Sequence, residues 1–224
     1  MNVIVFGATG GTRRAVTQRA LAAGHSVTAF VRDAGKMSPA TGLRIIQGDA
    51  MVADDVAAAL VGQEAVVITL GNSQNAFGLL FGARRTTPRE VCEVGTRNIL
   101  SGLSPGSQVP FIVVSAFGIG ETRDKLPFMF KLFYRMFLRE QMADKEKQEA
   151  VLRASDAAYV IVQPVALTDK APTGAWTATR DGKLGQSEVS RGDLAAFLLS
   201  VLGSGSHGGQ TIIVSGKLPV RPAT

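Results

Sequence analysis

The chain has 224 residues, of which 46% are hydrophobic and 19% charged, with a formal net charge of +6. That composition suits a packed globular core and excludes a disordered or fibrous chain. Lys and Arg never run beyond two together and aromatics do not interleave with them, so no nucleic-acid platform is written here, and a basic cleft for a polyanionic cofactor explains the charge.

Asn2 to Phe6 is apolar and mostly β-branched, which predicts a buried strand. Gly7-Ala8-Thr9-Gly10-Gly11-Thr12-Arg13 follows, and Ala15, Val16, Ala20 and Leu21 then recur at helical spacing. Strand, glycine turn and helix in that order predict a dinucleotide phosphate cradle. Gly7 permits the tight turn, Gly10 lets a ligand approach the backbone, and the first helical N–H groups face an anion.

Gly24-His25 closes this helix, and Ser26 to Val31 is the second strand. An acidic residue near that strand's end usually accepts from the ribose hydroxyls; Phe30 stands there instead, with Arg32 just beyond. An arginine clamps a 2′-phosphate bidentately, so the pattern points to NADP over NAD. Arg13 and Arg14 at a helix start, where cations are disfavoured, point the same way. The opposing reading gives the ribose to Asp33 and leaves Arg32 solvated.

Leu43 to Gln47 is a third strand, and Asp49-Ala50 past its end lies either at the adenine edge or in a solvated turn. Asp54 to Leu60 is a short helix, and Glu64 to Leu70 a fourth strand closing at Gly71, which leaves room for a ribose. Residues 73–87 form a long loop, either a cover for the nicotinamide end or irregular packing. A helix starts near Pro88 and runs to about Leu103; Phe111 to Ser115 is the fifth strand, with Ser115 at its carboxyl end. The apolar stretch Phe128 to Leu138 reads as core, as a lid over an apolar substrate, as a homodimer interface, or as a membrane-surface helix, since Lys131, Arg135 and Arg139 share a four-residue spacing. A polar helix follows through Lys145 and Glu149. Ala158 to Gln163 is the sixth strand, ending at Pro164; Gly174 to Thr179 is a strand, Arg191 to Leu202 a helix, and Gln210 to Val214 the last strand.

The alternation predicts one α/β domain over residues 1–224: a doubly wound, mostly parallel sheet of the Rossmann type with helices on both faces and small C-terminal substrate-side elements. Cys92 is the lone cysteine, which excludes an internal disulfide and fits the reducing cytoplasm. His25 and His207 are too few for a metal cluster, no apolar run spans a bilayer, and no leader sequence precedes the first strand.

With these residues in hand, the chain resembles the atypical short-chain dehydrogenase/reductases, above all the NmrA-like and biliverdin-B (flavin) reductase-like NAD(P)-binding proteins. The stretches that carry the resemblance are Gly7 to Thr12, Val31-Arg32-Asp33, Gly48-Asp49, Leu70-Gly71, Gly95 to Ile99, Ser115-Ala116-Phe117, Thr173 to Trp176 and Asp193-Leu194. It implies NADP(H), with Thr9 to Arg13 on the pyrophosphate and Arg32 on the 2′-phosphate. It also implies Asp49 and Ala50 near adenine, Leu70 and Gly71 near the ribose, Ser115 near the nicotinamide, and Pro164 and Val165 by its carboxamide.

Many members pair a tyrosine with a lysine four residues on. Lys145 resembles that lysine, but Gln141 stands in the tyrosine's place, Tyr134 is out of helical register, and Pro164-Val165-Ala166-Leu167 just after the sixth strand holds no histidine. Glutamine is no acid or base near neutral pH. The sequence therefore predicts an NADPH-dependent oxidoreductase that passes hydride to a small aromatic or apolar acceptor such as a flavin or quinone, with Ser115 and Lys145 as catalytic candidates. The alternatives are a non-catalytic NADP(H)-sensing regulator of the NmrA-like type and a sugar epimerase.

Overall fold

The structure, a computed structural model, describes residues 1–7, 10–71, 86–104, 107–126, 128–204 and 208–218. Its strands are β1 (Asn2–Phe6), β2 (Ser26–Val31), β3 (Leu43–Gln47), β4 (Ala65–Ile68), β5 (Phe111–Val114), β6 (Tyr159–Pro164), β7 (Ala166–Thr168), β8 (Trp176–Thr179), β9 (Glu188–Ser190) and β10 (Gln210–Gly216). The helices are α1 (Gly11–Ala22), α2 (Ala53–Leu60), α3 (Val91–Ser101), α4 (Phe128–Phe137), α5 (Arg139–Arg153) and α6 (Arg191–Ser204).

Eight strands form one sheet in the order β3-β2-β1-β4-β5-β6-β10-β8. All neighbours run parallel except β8, which pairs antiparallel with β10 at the edge. The strand order reverses at β1, flanked by β2 and β4, and ligands of doubly wound sheets bind at such a switch point. Helices α1 and α6 pack together on one face, α3 against α5 and α2 on the other. Val3 and Val5 join the first core with Val16, Leu194 and Leu198, while Ile4 and Phe6 join the second with Val56, Ile99 and Leu152. Successive strand residues thus feed opposite cores, which is why β1, β4 and β5 read as unbroken apolar runs. Each fully buried side chain of this size contributes about 1.5–3 kcal/mol.

The Rossmann-type reading of the sequence is borne out, with element ends shifted by up to three residues. The fourth strand stops at Ile68 rather than Leu70, because Thr69 and Leu70 already belong to the turn over the strand ends. Two strands went unread: β7 and β9 form a separate parallel pair, three residues each, too short to show alternation. The core reading of the Phe128 to Leu138 stretch is corrected: Phe128 is 77% exposed and Met129, Phe133 and Met136 also face solvent. Tyr134 turns inward against the core, where its hydroxyl donates to the Phe117 carbonyl at 3.2 Å.

Helix α5 ties the strand ends to their surroundings. Asp144 accepts the backbone N–H groups of Cys92 and Glu93 at 2.9 and 3.0 Å, so a side chain from α5 caps the first turn of α3. Helix α6 begins with a reciprocal cap, in which Ser190 Oγ accepts the Asp193 N–H and donates to Asp193 Oδ2. Asp193 also accepts N–H groups of Thr173 and Gly174, clipping the segment before β8 onto the helix.

Candidate functional site

A two-lobed cleft lies over the carboxyl ends of β1, β4 and β5, and Leu70 and Gly71 are shared by both lobes. The first lobe is bounded by Gly7, Phe30, Arg32 and Gly48 to Ala50, with Thr87 and Val91 across from them. The second brings Gly10 to Arg13 together with Val114, Ser115 and Lys145, closed by Leu167 and Arg191. Most sequence-predicted residues therefore meet in one place. Thr9 and most of the 73–87 loop lie outside the described residues.

The three glycines of the turn have three different reasons. Gly7 has no positive φ, and its missing side chain serves close approach. A Cβ there would collide with Thr69 Oγ1 and stand 3.1 Å from the Thr69 carbonyl oxygen, where Thr69 staples β4 to the Phe6 carbonyl. Gly11 makes room for Arg191, whose Cδ would lie 2.8 Å from a Cβ at that position. Among the described residues beyond its chain neighbours nothing would lie within 4 Å of a Cβ at Gly10, so its side-chain direction is open. Gly10 caps α1 without any side-chain hydrogen bond, and the first turn carries no acidic residue. The N–H groups of that turn are thus presented to an anion at the positive end of the helix dipole.

Arg13 is only 3% exposed, yet among the described residues its Nε and Nη1 have no partner and its Nη2 meets Met37 Sδ at 2.8 Å. Burial, and then the neighbouring charge of Arg14, pulls its pKa below the ordinary arginine value. A buried guanidinium with unmade hydrogen bonds is costly and wants an anion. Cradle, helix start and arginine together fit the pyrophosphate and phosphate groups of a dinucleotide.

In the first lobe, Phe30 packs its ring on Phe6 at 4.9 Å, making the position a wall rather than a ribose acceptor. Arg32 donates to the Thr86 carbonyl at 2.8 Å and to Thr87 Oγ1 at 3.2 Å, which holds it at the cleft edge and not free in solvent. Asp33 accepts from the Gly35 N–H and pairs with Lys36, so its carboxylate serves its own turn. Asp49 accepts the Met51 N–H at 3.0 Å, and the Asp49 N–H goes to Asp55.

In the second lobe, Lys145 donates to the carbonyls of Val114 and Leu70 at 2.8 and 3.2 Å, which leaves one of its three N–H donors. Ser115 is 4% exposed and reaches Glu149, a fully buried carboxylate on α5. Pro164 and Val165 are buried. The Pro164 carbonyl accepts the Phe117 N–H, the Val165 N–H goes to Val214, and Leu167 is the residue of this segment that lines the cleft. Arg191 and Glu149 were not singled out from the sequence. The available signal for Glu149 was its place one helical turn after Lys145; for Arg191 there was none beyond its position at a helix start.

The sheet order, the switch-point cleft and the glycine cradle define a dinucleotide-binding protein of the Rossmann class. The NAD(P)H-binding family matches residues 7–204, and the chain belongs to that family. It is 28% identical over 199 residues to the chloroplastic uncharacterized protein At2g34460 of Arabidopsis thaliana, covering 87% of this chain and 69% of that one. It shares its fold with the anaerobillin reductase ChuY of Escherichia coli O157:H7, with a TM-score of 0.75, 23% identity and full coverage of both chains. It likewise shares its fold with SP1627, a putative NADH-flavin reductase of Streptococcus pneumoniae, with a TM-score of 0.70, 22% identity, and 97% and 100% coverage. Among the described residues no helix is long and apolar enough to cross a membrane, and no group of metal-ligating side chains assembles.

Proposed function

We propose that this chain is an NADPH-dependent reductase that delivers hydride to a small aromatic or apolar acceptor such as a flavin or quinone. The observation that carries the reading is the buried Arg13 guanidinium, two of whose nitrogens have no partner among the described residues. A bound nicotinamide supplies the hydride. The first turn of α1 holds the pyrophosphate, and Arg13 and Arg32 offer the charge that a 2′-phosphate asks for. Asp49 and Ala50 border the adenine, and Leu70 and Gly71 the ribose. Lys145 keeps one N–H for the second lobe, and Ser115 orients what lies at the end of β5. Pro164 and Val165 stay as backing for the carboxamide end. The exposed apolar face of α4 serves this reading as a lid for an apolar acceptor or as a homodimer contact.

No side chain is assigned the role of acid. Gln141 precedes Lys145 by one turn, and the Tyr134 hydroxyl is bound to a backbone carbonyl. The acceptor therefore draws its proton from water. The same observation favours the second reading, a sensor that binds NADP(H) without turnover.

Titration with NADPH and NADH, followed by NADPH oxidation against flavins, quinones and aldehydes, tests both. NADPH is expected to bind at least tenfold more tightly, with Arg32→Ala removing most of the difference, as loss of a charge-assisted contact would. Equal affinities in the wild type sink the cofactor choice. Tight binding with no turnover on any acceptor replaces the reductase by the sensor.

A further inference from the structure

Ser115 Oγ lies 2.5 Å from Glu149 Oε1. A serine hydroxyl owns one proton, and a carboxylate can only accept. The surroundings of Glu149 fix its side of the contact. Gln163 Nε2 lies 2.7 Å from the same Oε1 and 3.3 Å from the Ile119 carbonyl oxygen, while Gln163 Oε1 takes the Thr122 hydroxyl at 2.6 Å. Turning that amide over would set its oxygen against two acceptors, so Nε2 donates to Glu149. Arg153 Nη2 donates to Oε2 at 3.0 Å in an ion pair. Gly120, at φ +51°, gives this carboxylate its space, since a Cβ there would stand 2.6 Å from Oε2. Gln163 and Arg153 thus both donate, and Ser115 adds its only proton. The Ser115 backbone N–H is bound to Val162 at 2.8 Å. Ser115 lines the second lobe, and with its one proton spent on Glu149 its hydroxyl has only lone pairs to offer a ligand there.

Next to it stands a group of opposite polarity. Lys145, anchored on the carbonyl of Val114, can only donate. A donor and an acceptor side by side match the two halves of a primary amide, carbonyl and N–H.

We propose that Glu149 is a positioning residue that keeps the Ser115 proton out of the cleft, so that Ser115 accepts the carboxamide N–H of a bound nicotinamide. The choice of ligand rests on the cofactor reading above. The polarity of Ser115 follows from its neighbours alone.

The test is calorimetric titration of the full chain with oxidised NADP and with its 3-acetylpyridine analogue, which keeps the carbonyl and lacks the N–H. Wild type is expected to bind the analogue about tenfold more weakly, as one lost hydrogen bond implies. Ser115→Ala is expected to weaken NADP to the level of the analogue and to leave the analogue unchanged. Glu149→Gln puts an NH2 where Gln163 and Arg153 already donate. Ser115 is then its one acceptor, the serine proton turns to the cleft, and the tenfold preference vanishes or reverses. A thermal melt confirms folding of each variant.

A wild-type ratio near one, a tenfold ratio that persists in Ser115→Ala, or an equal loss for both ligands in Ser115→Ala overturns the proposal. So does a folded Glu149→Gln that keeps the ratio, which makes Glu149 structural only. If neither ligand binds any variant, the cofactor reading itself fails and the contact with it.

Discussion

Replacing Arg13 by methionine separates what the ligand-free protein wants from what the cofactor wants. Arg13 is 3% exposed and, among the described residues, has Nε and Nη1 unpaired and a thioether against Nη2. Each buried donor without a partner costs about 1–3 kcal/mol. Methionine fills a similar volume without charge or donors, so Arg13→Met is expected to stabilise the ligand-free protein by on the order of 2 kcal/mol. For a chain of this size that raises the melting midpoint by about 4–8 °C. In the presence of NADPH that gain shrinks or reverses, because losing the charge-assisted bonds to phosphate costs about 1.5–3 kcal/mol, or roughly 10- to 150-fold in affinity. Thermal melts with and without saturating NADPH, together with a titration, read both halves. A ligand-free midpoint that falls while NADPH affinity stays unchanged refutes the assignment of Arg13 to an anion.

Three further outcomes are expected. Gly10→Val should keep the fold, since its backbone (φ −72°, ψ 158°) suits any residue and the space is open, yet abolish NADPH binding; unchanged affinity in the folded variant moves the pyrophosphate elsewhere. Burial works to raise the Asp193 pKa, but the N–H groups of Thr173 and Gly174 and the hydroxyls of Ser190 and Thr173 outweigh it and hold the carboxyl below its ordinary value. Its stabilisation is thus complete above the unfolded pKa of about 3.9 and fades as pH falls below it, so acid melts of wild type and Asp193→Asn should converge below about pH 4; parallel curves deny the linkage. Burial pushes the Cys92 thiol up to about 12, so it should resist alkylation at pH 8 until the protein unfolds; fast labelling of the native state contradicts its placement.

The sheet was legible because its signals are local. The run Asn2 to Phe6, the glycines after it and the apolar spacing of α1 each announce themselves within a few residues. The polarity of the second lobe was not legible, because it is made across the chain: Ser115 meets Glu149, Gln163 meets Thr122, and Asp144 caps a helix that starts at Val91. No spacing rule announces a hydrogen bond between residues 34 or 52 positions apart. Arg13 could be read as a cation at a helix start, but its burial, which gives it meaning, depends on Met37 and the loop after β2. The α4 stretch failed in the opposite direction, since its apolar residues resemble core and yet face outward.

Among the described residues Lys145 is anchored by two main-chain oxygens and by no side chain. Side chains at positions 70 and 114 can therefore drift without disturbing the lysine, provided the strands keep their path. Leu70 and Val114 are also walls of the cleft. Descendants of this chain could remodel those walls for a new acceptor in single steps, each inheriting an ammonium group already in place. The hydrogen-bonding centre and the shape of its enclosure are separately heritable, and selection can act on one while the other stands still.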